Sequence, residues 1–284
     1  MDTTAQLIIL RLENSLRARK YSPATRRRYL GFCQRLFQRY PTMEPAELGT
    51  VQLEAFLADL ERQGRSASCI NQAISAFSYL WANILALPFP ITVRPRADQV
   101  LPRVLSPGQV ESLIRGAQNP RDRLAFALAY SAGLRVSEVA KLRIHDIDRQ
   151  RMTMLVRQGK GRKDRILPLS RRVCAMLEGW LDQQTSVYVF PGDENGHIPV
   201  RELQRAMEKA RKRAKLPDCV TMHTLRHSYA THLVERGENL MTVKDLMGHQ
   251  SLATLQRYVH CAAVSSGAPE SPFDTPPHAV VKGN

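Results

Sequence analysis

Pro88, Pro90, Pro95 and Pro102 divide the chain, and its two sides follow different rules. Each proline lacks the amide proton that a helix or inner strand needs and pushes the residue before it towards extended backbone. The stretch 91–103, with Arg94, Arg96 and Arg103 among its prolines, therefore reads as a linker. Over residues 1–90 the apolar residues recur at helical spacing. Ser22-Pro-Ala-Thr25 marks a helix start, with Ser22 as N-cap and Pro23 at the first helical position, and Tyr29, Phe32, Leu36 and Phe37 follow on one face. The other face carries Arg26, Arg27, Arg28, Arg35 and Arg39. A charged helix face is usually just a solvated one, but charge of a single sign with no interleaved Glu points to phosphate contact. Further helices are expected near 50–62, with Val51, Leu53, Phe56, Leu57 and Leu60 inward, and near 66–86, with Ile70, Ile74, Phe77, Leu80 and Trp81 inward.

Beyond the linker the pattern is mixed. Leu105-Ser-Pro-Gly-Gln-Val110 opens a helix that Ser106 caps and Pro107 begins, and Leu124–Tyr130 is apolar all round, as a buried helix must be, with Gly133 ending it. Met152–Arg157 and Asp164–Leu169 are short β-prone runs on either side of Gly159-Lys-Gly-Arg-Lys163, which predicts a hairpin with a basic tip. Helices are expected near 170–183, 200–214, 223–235, 240–247 and 251–260. Residues 263–284 are rich in Ala, Ser, Gly and Pro without periodicity and read as a flexible tail. The fold class is therefore mainly α with a small β component (α+β), with a helical domain over 1–90 and a mixed domain over 104–262.

Charge narrows the partners. Lys plus Arg number 41 against 26 Asp plus Glu, a formal +15, so the natural ligand is a polyanion, with nucleic acid first. Residues 1–40 hold nine Lys or Arg against only Asp2 and Glu13, and further basic clusters lie at 157–172 and 201–215. No apolar run approaches the roughly 20 residues that cross a bilayer, and Leu7-Ile-Ile-Leu10 ends at Arg11, so no membrane partner and a cytoplasmic location are expected. Five cysteines, odd in number and without any Cys-x-x-Cys, fit neither a disulfide framework nor a thiolate zinc site. With no phosphate loop of the Gly-x-x-x-x-Gly-Lys type and no acidic cluster for two metal ions, neither a nucleotide cofactor nor a metal is expected.

The candidate chemistry lies in five short motifs: Ser131-Ala-Gly-Leu-Arg-Val-Ser-Glu138, Gly159-Lys-Gly161, His223-Thr-Leu-Arg-His227, Leu246-Met-Gly-His249 and Thr254-Leu-Gln-Arg-Tyr-Val-His260. Arg135 follows a glycine turn between apolar runs and needs an anionic partner there, which Glu138 is near enough to be. Met222, Leu225, Tyr229 and Leu233 mark a core face, and His223 and Arg226, at i and i+3, share the flank beside it. His223 and His227 have the i, i+4 spacing of a two-histidine zinc site, but no Glu follows the first and Arg226 between them repels a cation. His227, His232 and His260 take structural or helper roles. On spacing alone Lys160 is either a swinging catalytic ammonium or one more phosphate-contacting residue among Arg162, Lys163 and Arg165. Tyr258 by itself reads as a core tyrosine.

Taken in this order within a basic chain, the motifs resemble the active site of the tyrosine recombinases, the family of phage integrases and Xer-type chromosome-dimer resolvases. The resemblance implies a SAM-like helical core-binding domain and a DNA breaking-rejoining domain that close on duplex DNA. It implies Tyr258 as nucleophile, Arg135 and Arg226 clamping the phosphate, His223 accepting a proton and His249 donating to a nonbridging oxygen. Lys160, with Lys163 as second choice, would protonate the departing 5′ oxygen. Glu138 supports Arg135, Arg26, Arg27, Arg28, Arg162, Lys163 and Arg165 contact DNA, and guanidinium charge replaces magnesium.

The implied activity is site-specific cleavage and rejoining through a 3′-phosphotyrosine and a Holliday junction, by a homotetramer on two DNA sites or one shared with a second recombinase. Integration or excision of a mobile element and chromosome partition are the roles open to such an enzyme. Two alternatives share the fold, a catalytically inactive DNA-binding regulator and a site-independent relaxing topoisomerase. The full set of six polar groups speaks against the first, and the length with its helical N-terminal module against the second. The chain departs from family patterns in having no extra N-terminal arm-binding domain and no clear amphipathic helix after Tyr258. Met247, where Leu is frequent, conserves volume.

Overall fold

The computed structural model describes residues 3–91, 94–96, 103–157, 164–182, 185–193 and 196–248. The chain divides into two compact units, residues 1–100 and 101–284.

The first unit is helical: α1 (Thr3–Ala18), α2 (Pro23–Arg39), α3 (Thr50–Arg62) and α4 (Ala67–Leu80), the last continued by a wider π turn over Trp81–Leu85. Steps of three and four build each buried stripe: Ile8, Leu12 and Leu16 on α1, Phe32, Leu36 and Phe37 on α2, Leu53, Phe56 and Leu60 on α3, and Ile70, Ile74 and Phe77 on α4. Ser22 and Ser66 accept the amides of Thr25 and Cys69, so α2 and α4 begin where free N–H groups find a side-chain oxygen. Phe56 meets Phe77 edge to face at 5.5 Å, and the Ser15 hydroxyl bonds to Tyr79 Oη at 2.9 Å.

In the second unit the order is α5 (Pro107–Gly116), α6 (Pro120–Ser131), α7 (Val136–Ala140), a 3-10 turn (Ile144–Asp146), β1 (Ile147–Asp148), β2 (Thr153–Val156), β3 (Arg165–Pro168), α8 (Arg171–Leu181), α9 (Val200–Arg213), α10 (Met222–Glu235) and α11 (Leu240–Met247). The strands form an antiparallel sheet in the order β1-β2-β3, with Met154 opposite Ile147 and Val156 opposite Arg165. The sequence predicts the β2–β3 pair; β1, α7 and the 3-10 turn, at two, five and three residues, are too short to show a period. Helix α6, buried from Leu124 to Ala129, is the hub against which α5, α8, α9 and α10 pack. Gly116 lets α5 approach α9, since a Cβ there would stand 2.7 Å from the Ala210 carbonyl oxygen.

Candidate active site

The turn from α6 to α7 sets Arg135, the first arginine of the candidate site. Gly133 takes φ +60°, a left-handed conformation that lets the chain reverse, and Arg135 follows as the residue capping α7. Its backbone N–H donates to Glu138 Oε2 and its Nη1 to Oε1, both at 2.8 Å. One residue is thus held at both ends by a carboxylate one turn ahead, the reach of a capping box.

Two more guanidinium groups close on that carboxylate. Arg165, first residue of β3, donates Nη1 and Nη2 to the two oxygens of Glu138 at 3.0 and 2.8 Å, and Nε to the Leu246 carbonyl at 3.1 Å. Arg226, on α10, donates to the carbonyls of Gly133 and Met247, and its Nη1 stands 3.9 Å from Glu138 Oε2. Arg135 Nη2 also reaches the Gly248 carbonyl at 3.5 Å. Leu246, Met247 and Gly248, the carbonyls that end α11, therefore each accept from a different arginine. Such carbonyls have no partner within the helix and form its negative pole, so cations are the natural cap.

Three guanidinium groups against one carboxylate leave a local excess of two positive charges, which favours an incoming anion. Arg135 is the more open of the pair read from the sequence, its side chain 21% exposed against 1% for Arg226. Burial alone would raise the pKa of Glu138, but the hydrogen bonds and charge of Arg165, then those of Arg135, overrule it and hold the carboxyl at about 2. His223, at the start of α10, shows solvent part of its ring; loss of water around the rest, then the charges of Arg226 and Arg135, lower its pKa below the ordinary histidine value. The shift favours the neutral ring, the form in which an imidazole nitrogen can accept a proton. The His223 and His227 rings meet edge to face at 4.2 Å. Among the described residues no group of three or more His, Cys, Asp or Glu gathers where a metal ion could be held.

Comparison with known proteins matches the phage integrase family over residues 103–264 and the N-terminal SAM-like domain of phage integrases over residues 8–91. The chain belongs to the phage integrase family of tyrosine recombinases. A putative integrase/recombinase of Sinorhizobium fredii is 33% identical over 94% of this recombinase and 88% of its own length. Tyrosine recombinase XerC of Xanthomonas axonopodis is 34% identical over 76% of this chain and 75% of its own. Among solved structures, XerH bound to its palindromic difH substrate aligns with a TM-score of 0.72 at 21% identity, over 88% of this chain and 80% of that one. A lambda integrase tetramer on a Holliday junction aligns with a TM-score of 0.72 at 20% identity, over 90% and 77%. The protein is a site-specific DNA recombinase of the tyrosine type.

Other residues read from the recombinase's sequence fall as follows. Arg27 and Arg28 are exposed on α2 and, with Arg35, Gln38, Ser66 and Gln72, line a concavity of about 630 Å³ in the first unit; Arg28 Nη1 donates to Gln72 Oε1 at 2.7 Å. Arg26 is half-buried instead. Lys160, Arg162, Lys163, His249 and Tyr258 lie outside the described residues. Arg165, grouped in the sequence with the basic hairpin tip, turns inward, its side chain 11% exposed. A signal for this exists: strand alternation puts Arg165 on the same face as Leu167, which is wholly buried, while Ile166 between them is 68% exposed. No described helix is long and apolar enough to cross a membrane.

Proposed function

We propose that this recombinase cuts and rejoins duplex DNA through Tyr258, with Arg135 and Arg226 neutralising the scissile phosphate. The phenolic oxygen of Tyr258 attacks phosphorus and its proton passes to the neutral His223. The bond from phosphorus to the 5′ oxygen breaks as Lys160 supplies that oxygen with a proton, leaving a 3′-phosphotyrosine. His249 donates to a nonbridging oxygen, and reversal of the steps by a 5′ hydroxyl from another strand completes the exchange with no net hydrolysis. The convergence of Arg135 and Arg226 on Glu138, beside the carbonyls that lead into His249, is the observation that carries this reading. Planar, permanently charged guanidinium groups are suited to the phosphate in a way ammonium groups are not.

Residues 1–90 form the module that grips the duplex through the Arg27, Arg28 and Arg35 face of α2, and four protomers act together on two sites. XerH was solved on its DNA substrate and lambda integrase as a tetramer on a Holliday junction, and chains of this fold support that assembly here. A nicked suicide substrate tests the chemistry. Wild type accumulates a covalent protein–DNA adduct on a denaturing gel, whereas Tyr258→Phe forms none while binding the same DNA; an adduct with Tyr258→Phe removes Tyr258 as nucleophile.

A further inference from the structure

Arg165 ties its own strand to two other parts of the second unit at once. It rises from the first residue of β3, grips both oxygens of Glu138 in a fork at 3.0 and 2.8 Å, and ties down the Leu246 carbonyl at 3.1 Å. Glu138 in turn holds the backbone and the side chain of Arg135. Two-point contact fixes the plane of the carboxylate, and a carboxylate with a fixed plane fixes the guanidinium that leans on it. We infer that Arg165 is a positioning residue for the DNA cleavage step, orienting Arg135 through Glu138 and holding the end of α11 that leads into His249.

Burial decides between this role and direct DNA contact. The Arg165 side chain is 11% exposed and Glu138 6%, so the pair works out of water, where electrostatic contacts are stronger than at a surface. Arg165 also lies along the end of α11, where Gly248 takes φ +59° and a Cβ would be in ordinary contact, 3.4 Å, with Arg165 Cδ and Nη1. Lysine cannot reproduce the arrangement, because one ammonium cannot present a flat fork to the carboxylate and a third donor to Leu246 together.

The inference rests on the reading of Arg135 as a phosphate ligand, and the experiment keeps the two apart. Single-turnover cleavage is measured for wild type, Arg165→Lys, Arg165→Met and Arg135→Ala on a suicide substrate with an ordinary phosphodiester and on one with a neutral methylphosphonate at the scissile position. The neutral ester needs less help from a guanidinium. Arg135→Ala, the control, loses cleavage of the phosphodiester and recovers on the methylphosphonate; if it does not recover, the reading of Arg135 fails, whatever Arg165 does. Given that control, both Arg165 variants are expected to cleave the phosphodiester on the order of 10²-fold more slowly, the scale of a misplacement of about 1 Å. DNA affinity stays within about threefold of wild type, which is less than 1 kcal/mol, and most of the lost rate returns on the methylphosphonate. Equal losses on the two substrates, or no loss on either, overturn the inference. Arg165→Lys, which keeps charge and length, supplies the same reading should Arg165→Met not fold.

Discussion

The two units bury different things. Among the described residues every buried polar or charged side chain, from Asp122 and Glu138 to Arg226 and His232, belongs to the second unit, while the core of the first is aliphatic and aromatic apart from Cys33. Apart from the half-buried Arg26, arginines of the first unit stay on its surface or pair there, as Arg17 does with Glu13. On the proposed reading the first unit meets DNA with its outer face, which asks only for a stable core and a charged exterior. A unit that must present guanidinium groups in fixed directions has to carry charge inside, and a charge inside is held by everything it touches.

The contrast predicts unequal sensitivity to mutation. Arg226→Ala is expected to have the largest effect, removing one of three cations around Glu138 and the donors to the Gly133 and Met247 carbonyls. Loss of a buried charged partner costs about 3–5 kcal/mol, so urea denaturation should show the second unit destabilised by that order, with cleavage lost too. Should Arg226→Ala unfold at the wild-type urea concentration, the buried group contributes far less than its geometry implies.

Acid sharpens the comparison. Glu138 has a folded pKa of about 2 against an ordinary 4.5, so it stabilises the fold above the ordinary value and that contribution disappears as pH falls from there towards 2. The shift corresponds to about 3 kcal/mol, and it falls on the second unit alone. Each unit holds one tryptophan, Trp81 in the first and Trp180 in the second. Trp81→Phe and Trp180→Phe variants therefore report the units separately, and the second should lose structure at the higher pH. Coincident acid transitions would remove Glu138 as the cause.

The smallest expected effect belongs to the outer face of α2. Arg27→Gln and Arg28→Gln should each leave stability within about 0.5 kcal/mol of wild type, yet lower the slope of log affinity against log salt by about 1 per lost phosphate contact. A salt series of DNA-binding titrations measures this. An unchanged slope would take that face off the DNA.

How much of this was legible in the sequence follows the same division. In the first unit helical spacing and the cap at Ser22 suffice, because each helix buries one apolar stripe; the Ser66 cap of α4 came only with the structure. In the second, the Ser106 and Pro107 start of α5, the buried α6 and the β2–β3 pair are equally plain, while α7 and β1 fall below the length at which a pattern repeats. Arg135, Glu138 and Arg226 are legible as residues, but their meeting is not: Arg226 lies 88 positions beyond Glu138 and nothing local announces the contact. The capping of Leu246, Met247 and Gly248 is hidden for another reason, since a backbone carbonyl is the same in every residue and leaves no trace in composition. Arg165 is the intermediate case, readable from strand alternation once Leu167 is taken as inward.

Gly133 carries one last consequence. A methyl group there would stand 2.5 Å from Tyr229 Cδ1 and 2.9 Å from the Met247 sulfur, on backbone already in the left-handed region. The residue carries no charge and offers no side chain to a substrate, yet Arg226 leans on its carbonyl and on that of the methionine it would displace. Variation among relatives at this position should accordingly be as restricted as at a reactive one, and a search for functional residues that looks only at side chains will pass over it.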